Sequence, residues 1–245
     1  MEAFKIQIAG LVVLVKPMFV STREYCRAYL TDGEPEVTVE VTPEDLVDTQ
    51  AMTEKEALEE GIRIRKYEGP YLERLTIQHK VARELLKRNT ILFHGSTVAV
   101  DGYAYLFTAP CRTGKSTHTR FWCEIFGSRA MMVNDDKPFL QITPSGVLAY
   151  GSPWSGKHGL DSNVCVPLKG ICFLRRGSEN RIARVQVEDF LAELYHQCWS
   201  PEDPEVQKIA ESLVDSLAQQ VPLWQMDCTK DPAAALVSHG AMSSL

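Results

Sequence analysis

Several features that would assign this chain to a familiar class of protein are missing from its sequence. No apolar run approaches the 18 residues of a membrane-spanning helix, and the first residues lack the basic-then-apolar pattern of a secretion signal. The formal charge of −6 argues against a general nucleic-acid-binding surface. We therefore expect a cytoplasmic protein that binds neither membrane nor nucleic acid.

Zinc-type cysteine spacing and sequence repeats are missing as well. The seven cysteines never form a C-x-x-C pair, and in a reducing compartment most of them would be small buried apolar side chains. No internal repeat or low-complexity tract is present. With 245 residues, 44% hydrophobic and 24% charged, the chain has the composition of a globular protein with a substantial core.

The most informative stretch that is present runs from Ala109 to Thr117 and reads Ala-Pro-Cys-Arg-Thr-Gly-Lys-Ser-Thr. It has the phosphate-loop pattern [AG]-x-x-x-x-G-K-[ST]. A buried-strand pattern over 103–108 precedes it and a helical pattern over 116–126 follows it, so the loop would open onto a helix N-terminus, where free N–H groups and the helix dipole favour an anion. Lys115 would reach the β- and γ-phosphates, and the Ser116 hydroxyl would help to hold Mg²⁺.

The expected ligand of this loop is ATP, or another nucleoside triphosphate, with Mg²⁺. Ala109 stands where most such loops carry Gly, and Pro110 removes one N–H donor. The alternative interpretation is a glycine-containing turn with a solvated lysine. The candidate nucleotide contacts are Ala109, Pro110, Cys111, Arg112, Thr113, Gly114, Lys115, Ser116 and Thr117.

A second stretch, Gly151 to His158, also has Gly, four residues and then Gly-Lys. His158 replaces the hydroxyl residue, and the continuation is turn-forming rather than helical, so we do not interpret this stretch as the nucleotide loop. Because a glycine-rich loop can still face a site, Ser155, Lys157 and His158 are candidates for contacts with substrate or phosphate.

An acidic pair, Asp135 and Asp136, follows a predicted strand over 129–133 and lies 20 and 21 residues after Lys115. Phosphoryl transfer needs a divalent metal and a group that orients or deprotonates the nucleophile, and two adjacent carboxylates can divide these tasks. The alternative is that the pair caps a turn at the end of the strand.

Two further basic residues are candidates, each with a structural alternative. His94 either contacts an aspartate or a phosphate, or is a satisfied core histidine. Arg176 follows a predicted strand and either stabilises charge in a transition state or belongs to a solvated turn.

The pattern along the chain predicts an α/β protein with mixed sheets, in which a small N-terminal α+β portion (residues 1–65) precedes a catalytic domain (66–245). Thr42 and Pro43 predict the start of a helix. Residues 30–41 predict a hairpin, 71–87 an amphipathic helix, and Asp101-Gly102 a tight hairpin that leads into the phosphate loop.

Taken in order, His94-Gly95, this hairpin, the loop ending in Gly114-Lys115-Ser116 and then Asp135-Asp136 resemble the catalytic domain of the HPr serine kinase/phosphorylase family. That domain is related to the nucleotide-binding part of phosphoenolpyruvate carboxykinases. The resemblance implies a P-loop kinase fold and an ATP-dependent kinase that phosphorylates a hydroxyl of a protein, peptide or small molecule. A non-catalytic ATP-binding regulatory or accessory protein is the alternative.

The resemblance also implies a role for each matching residue. Lys115 would contact the phosphates, Ser116 and Asp136 would hold the metal, and Asp135 would act as the base with His94 as its neighbour. The acceptor, and whether copies of the chain form a homo-oligomer, stay open at this point.

Overall fold

The computed structural model describes residues 1–59, 61–110 and 113–244. The chain divides into two compact units, residues 1–84 and 85–245. The sequence predicted a division after residue 65. The boundary lies later, after residue 84, because the helix that follows residue 65 is bonded to earlier residues of the first unit. Lys80 Nζ lies 2.7 Å from Asp45 Oδ2, and the buried carboxylate of Glu73 accepts a hydrogen bond from the hydroxyl of Thr22.

The first unit contains a three-stranded sheet. Strands β1 (Phe4–Ile8) and β2 (Leu11–Lys16) form an antiparallel hairpin, and β3 (Val37–Glu40) lies parallel to β2. The predicted hairpin over 30–41 is therefore wrong. The turn residues near its centre do not fold the segment back on itself, because they carry the chain across to the open edge of β2.

Three helices complete this unit: α1 (Ser21–Tyr25), α2 (Pro43–Glu59) and α3 (Gly69–Leu86). The predicted start of α2 is confirmed. The Asp45 N–H donates to Thr42 Oγ1 at 3.3 Å, and the Thr42 N–H donates to Asp45 Oδ2 at 2.8 Å, which is a reciprocal cap.

The described part of the second unit contains one mixed, curled sheet of nine strands. Its main path has the order β4-β8-β9-β10-β6-β5-β7, and β12 pairs with β10 and with β11. The strands are β4 (Thr90–Leu92), β5 (Ser96–Val100), β6 (Tyr103–Thr108), β7 (Ala130–Asn134), β8 (Phe139–Thr143), β9 (Gly146–Tyr150), β10 (Cys165–Arg176), β11 (Arg181–Arg184) and β12 (Leu223–Cys228).

Helices cover both faces of this sheet. They are α4 (Lys115–Phe126), α5 (Val187–Gln197), α6 (Pro204–Gln220) and α7 (Ala233–Met242). Because side chains alternate along a strand, Tyr105 and Phe107 of β6 pack with α4 and α7, whereas Ala104 and Leu106 pack with α5 and α6. Among the described helices, none is both long and apolar enough to cross a bilayer.

The hairpin predicted at Asp101-Gly102 is confirmed. Strands β5 and β6 are antiparallel with Val100 opposite Tyr103, and the two turn residues have φ of 52° and 84°. Positive φ at both positions belongs to the turn that matches strand twist, and Asp-Gly supplies it at low cost.

Strand directions bring three chain segments to one edge of this sheet. β5 is antiparallel to both β6 and β7, so the carboxyl ends of β6 and β7 meet the beginning of β5. β10 runs parallel to β6 and ends at the same edge. Carboxyl ends of parallel strands are the usual place for a ligand site in such sheets.

Candidate active site

The loop after β6 leads directly into α4, so the strand, loop and helix predicted around the Gly-Lys-Ser sequence are present. Gly114 stands immediately before the helix with a φ of 124°, a conformation that a residue with a Cβ rarely adopts. The Thr113 N–H donates to the Pro110 carbonyl at 3.3 Å, which tightens the turn. Two of the predicted nucleotide contacts, Cys111 and Arg112, lie outside the described residues.

Lys115 and Ser116 begin α4, at the positive end of the helix dipole. Lys115 Nζ donates to the Ala109 carbonyl at 2.9 Å, so the amine lies across the loop. The Ser116 side chain lies close enough to Asp135 to lower the pKa of that carboxyl against the larger effect of burial. Thr117 follows in the first turn of the helix. The start of α4 thus lies beside the acidic pair.

Asp135 is 4% exposed and is held by hydroxyl groups. Ser96 at the start of β5 donates to Asp135 Oδ1 at 2.7 Å, and its oxygen lies 2.7 Å from Thr119 Oγ1 on α4. The Thr119 hydroxyl also lies within hydrogen-bond distance of the Lys115 and Ser116 carbonyls, at 3.3 Å and 3.4 Å. Burial raises the pKa of Asp135, and the hydrogen bond from Ser96 and the nearby Ser116 hydroxyl oppose that rise.

Asp136 is more exposed and pairs with His94. The Nε2 of His94 lies 3.5 Å from Asp136 Oδ1, with side-chain exposures of 27% and 37%. Burial opposes ionisation of Asp136, but His94, Lys137 and Lys115 together outweigh it and lower the pKa of the carboxyl. Burial also lowers the pKa of His94, and Lys137 and Lys115 add to that effect. At neutral pH the pair is therefore a carboxylate beside a neutral imidazole.

This pairing differs from the one implied by the family resemblance, which placed His94 next to Asp135. In the structure His94 contacts Asp136, whereas Ser116 lies close to Asp135. The two aspartates are consecutive residues in the bend that follows β7, where Asp136 meets the imidazole of His94 and Asp135 meets hydroxyl groups. They therefore face different partners.

Asn134, which the sequence analysis did not single out, fixes the acidic pair. Its side-chain Oδ1 accepts from the N–H groups of Asp136 at 2.8 Å and Lys137 at 2.6 Å, and its Nδ2 donates to the Ser152 carbonyl at 2.8 Å. The local signal was available, because asparagine before a turn often bonds to the backbone two residues on. Its long-range bond to Ser152 had no such signal.

The second glycine-rich loop lies against the acidic pair. Gly156 has a φ of 70°, and a Cβ built there would lie 3.1 Å from Asp136 Cβ. The Asp135 N–H donates to the Leu160 carbonyl at 3.0 Å. Gly156–His158 form a single 3₁₀ turn, and the next element along the chain is strand β10.

The three candidates in that loop differ in their surroundings. Ser155 is 1% exposed and donates to Asp161 Oδ2 at 2.6 Å, which makes it a structural residue of the loop. Lys157 and His158 are exposed, and His158 is close enough to lower the pKa of Asp135 against the larger effect of burial. Only the latter two are placed to meet a bound molecule.

Arg176 reaches the same sheet edge but not the acidic pair. The register of Phe173 with Thr108 places the end of β10 beside the start of the loop that follows β6. Two strands, β6 and β5, stand between β10 and β7, which carries the aspartates. Any contact of Arg176 with substrate or phosphate would therefore lie on the side of the loop that faces away from Asp136.

The oxygen ligands near α4 fit a magnesium–nucleotide complex better than a metal held by protein alone. Within the described ranges, no group of three or more His, Cys, Asp or Glu side chains is placed to hold a metal ion. The Ser116 hydroxyl and the Asp135 carboxylate are hard oxygen donors, and Ser116 is near enough to lower the pKa of Asp135. Mg²⁺ commonly takes one or two such ligands and completes its shell with phosphate oxygens and water.

No protein-family model matches this chain, and no curated protein sequence matches it. Among solved structures, the Hpr(Ser) kinase/phosphatase from Coxiella burnetii is similar with a TM-score of 0.39 and 11% identity, over 62% of this chain and 97% of that chain. At this identity and TM-score the similarity is a distant resemblance in fold and supports no assignment of activity.

Proposed function

We propose that residues 85–245 form an ATP-dependent phosphotransferase, a kinase that moves the γ-phosphoryl group of ATP to a hydroxyl of a protein, peptide or small molecule. One observation carries this proposal: Asp135 of the acidic pair is joined through Ser96 to Thr119 of α4, the helix that begins at Lys115 and Ser116. Phosphate-binding and carboxylate groups thus share one site. The order of these motifs along the chain supports an HPr-kinase-like enzyme, related to the carboxykinase nucleotide domain.

The nucleotide phosphates would lie against the N-terminus of α4. The positive end of the helix dipole and the backbone conformation at Gly114 both favour close approach of an anion. Lys115 Nζ, which donates to the Ala109 carbonyl, would exchange this neutral acceptor for phosphate oxygens. Exchanging a neutral acceptor for an anionic one adds Coulomb attraction to the ammonium group, so the exchange favours the bound state.

Ser116 and Asp135 would hold the magnesium ion. When bound, the ion would neutralise charge on the phosphates. The resemblance implied Asp136 for this task, but the proximity of Ser116 to Asp135 favours the first aspartate. Ser96 supports it, since its hydrogen bond stabilises the ionised form of Asp135 that a cation requires.

Asp136 would act as the base toward the acceptor. Its low pKa keeps it ionised at neutral pH, and it is the more exposed aspartate. As the acceptor oxygen bonds to the γ-phosphorus and the bond to the bridging oxygen of ADP breaks, the acceptor proton passes to the Asp136 carboxylate. His94 would hold that carboxylate in place from the other side.

A non-catalytic ATP-binding protein is the alternative, and the His94–Asp136 pair favours catalysis over it. A protein that only senses nucleotide has little use for a second carboxylate, ionised and oriented, beside the phosphates. Incubation with γ-labelled ATP and Mg²⁺ against a cell extract and a metabolite pool separates the two. A labelled protein or small molecule supports the kinase and identifies its acceptor class, whereas bound ATP with no labelled product contradicts it.

A further inference from the structure

Gln197, the last residue of α5, bonds to two segments of the proposed site. Its backbone carbonyl accepts from the His94 N–H at 2.7 Å, and its side-chain Oε1 accepts from the Thr108 hydroxyl at 3.1 Å. Thr108 is the last residue of β6, directly before the phosphate loop. Gln197 is 8% exposed and Thr108 is fully buried, so both bonds are shielded from water.

Three hydrogen bonds join Thr108, His94 and Gln197 to one another. The Thr108 hydroxyl has one proton and two acceptors, the His94 carbonyl at 3.0 Å and Gln197 Oε1 at 3.1 Å. On one side, the next residue after Thr108 is Ala109, whose carbonyl accepts from Lys115. On the other side, the imidazole of His94 meets Asp136. The group therefore lies between the lysine of the loop and the proposed base.

We propose that Gln197 is a positioning residue that sets the separation between the His94–Asp136 pair and the phosphate loop. This inference rests on the proposed function. Transfer requires the reacting atoms to approach within about 3–3.5 Å, and a misplacement of about 1 Å can cost roughly 100-fold in rate. Gln197 is buried, its side chain bonds to Thr108 at the loop, and its backbone bonds to His94 beside the proposed base. A residue placed in this way is suited to hold the separation.

The backbone around Gln197 is held by hydrogen bonds that do not involve the Gln197 side chain. The role of the side chain can therefore be tested separately from that of the backbone. The Trp199 N–H donates to the Leu92 carbonyl at 2.9 Å, and the backbone of Cys198 forms an isolated antiparallel β-bridge with that of Phe93. The bond from the His94 N–H also goes to the Gln197 backbone. Changing the Gln197 side chain therefore leaves these bonds in place and removes only the link to Thr108.

The test compares Gln197→Leu, Gln197→Glu and Thr108→Val in the full chain. Gln207→Leu is the control, a glutamine of α6 whose amide contacts Glu211 at 2.9 Å. We expect Gln197→Leu and Thr108→Val each to lower kcat about ten-fold, with the KM for ATP little changed, because geometry rather than phosphate binding is lost. Gln197→Glu, which keeps an acceptor oxygen, should recover most of the rate. The double variant Gln197→Leu with Thr108→Val should lose no more than Thr108→Val alone, because Thr108→Val already removes the link to Gln197 together with the bond to the His94 carbonyl.

A second readout does not depend on activity. The imidazole resonances of His94, followed by NMR as a function of pH, should shift in Gln197→Leu and Thr108→Val and stay unchanged in Gln207→Leu. Unchanged His94 resonances, or a kcat equal to that of the wild type, would overturn the positioning role. If Gln197→Leu fails to fold, Thr108→Val breaks the same bond from the other side. If the wild type transfers no phosphoryl group, the proposed function fails, and the NMR result still decides whether Gln197 positions His94.

Discussion

The hydroxyl of Ser96 donates to the buried carboxylate of Asp135 at 2.7 Å. Ser96 begins β5 and Asp135 follows β7, so this bond forms only because the two strands lie side by side in the sheet. Ser96 also contacts Thr119 of α4 at 2.7 Å, and the bond thereby connects the acidic pair to the helix that follows the phosphate loop. The ionisation of Asp135 consequently depends on the packing of three elements.

Replacing Ser96 by Ala should move the acid limb of the pH–activity profile to higher pH. Burial raises the pKa of Asp135 and the bond from Ser96 opposes the rise, so losing that bond raises the pKa further. In the proposed site an ionised Asp135 would hold the metal, so we expect activity to disappear as pH falls through its pKa. The measurement is kcat against pH at saturating Mg²⁺. Thr119→Val, which leaves the Ser96–Asp135 bond intact, is the control. If the acid limb of Ser96→Ala lies at the same pH as that of the wild type, Asp135 does not hold the metal.

Lys115→Ala should weaken ATP binding by about 10- to 100-fold, the range expected for the loss of one or two hydrogen bonds to a charged group. Titration calorimetry with ATP and Mg²⁺ measures it. Lys208→Ala, an exposed lysine paired with Glu205 on α6, tests whether loss of any positive charge has the same effect. An ATP affinity equal to that of the wild type in Lys115→Ala would show that the loop before α4 does not bind the phosphates.

His118 of α4 should make the protein sensitive to mild acid. It is 3% exposed, its Nε2 lies 2.9 Å from Ser238 Oγ, and burial lowers its pKa to about 4. Because the unfolded chain takes up this proton near pH 6.5 and the folded chain does not, the free energy of unfolding falls as pH drops from about 6.5 toward 4. The difference corresponds to about 3 kcal/mol.

Urea unfolding of the wild type and of His118→Gln at pH 7 and at pH 4.5 measures this effect. Glutamine keeps a polar group near Ser238 but does not titrate, so the variant should lose less stability between the two pH values. An equal loss in both proteins would show that His118 is not kept neutral by the fold.

Local sequence signals predicted those parts of the site that depend on consecutive residues. The strand before the loop, the Asp101-Gly102 turn and the helix that begins at Lys115 each follow from a short pattern. The roles of Lys115 and Ser116 in binding stay predictions. Residues 30–41 show the limit of such signals, because a turn pattern tells where the chain changes direction and not which strand it joins.

The rest of the site depends on long-range pairing that the sequence does not encode locally. Ser96 and Gln197 look like ordinary residues at the ends of a strand and a helix, and each acquires its contacts from strand order and helix docking. Ser155 is the reverse case. A glycine-rich context suggests an exposed side chain, but the loop folds so that its hydroxyl bonds inward to Asp161.

The most direct test of the account compares Asp136→Asn with the wild type for transfer of label from γ-labelled ATP to the acceptor class identified in the extract. Asp136→Asn keeps the shape of the side chain and removes its ability to take a proton, so we expect ATP binding within about two-fold of the wild type and transfer lowered by at least roughly 100-fold, the lower end of what a general base contributes. Asp135→Asn should instead raise the Mg²⁺ concentration needed for half-maximal activity. Transfer at the wild-type rate in Asp136→Asn, with the nucleotide bound, would contradict the central claim.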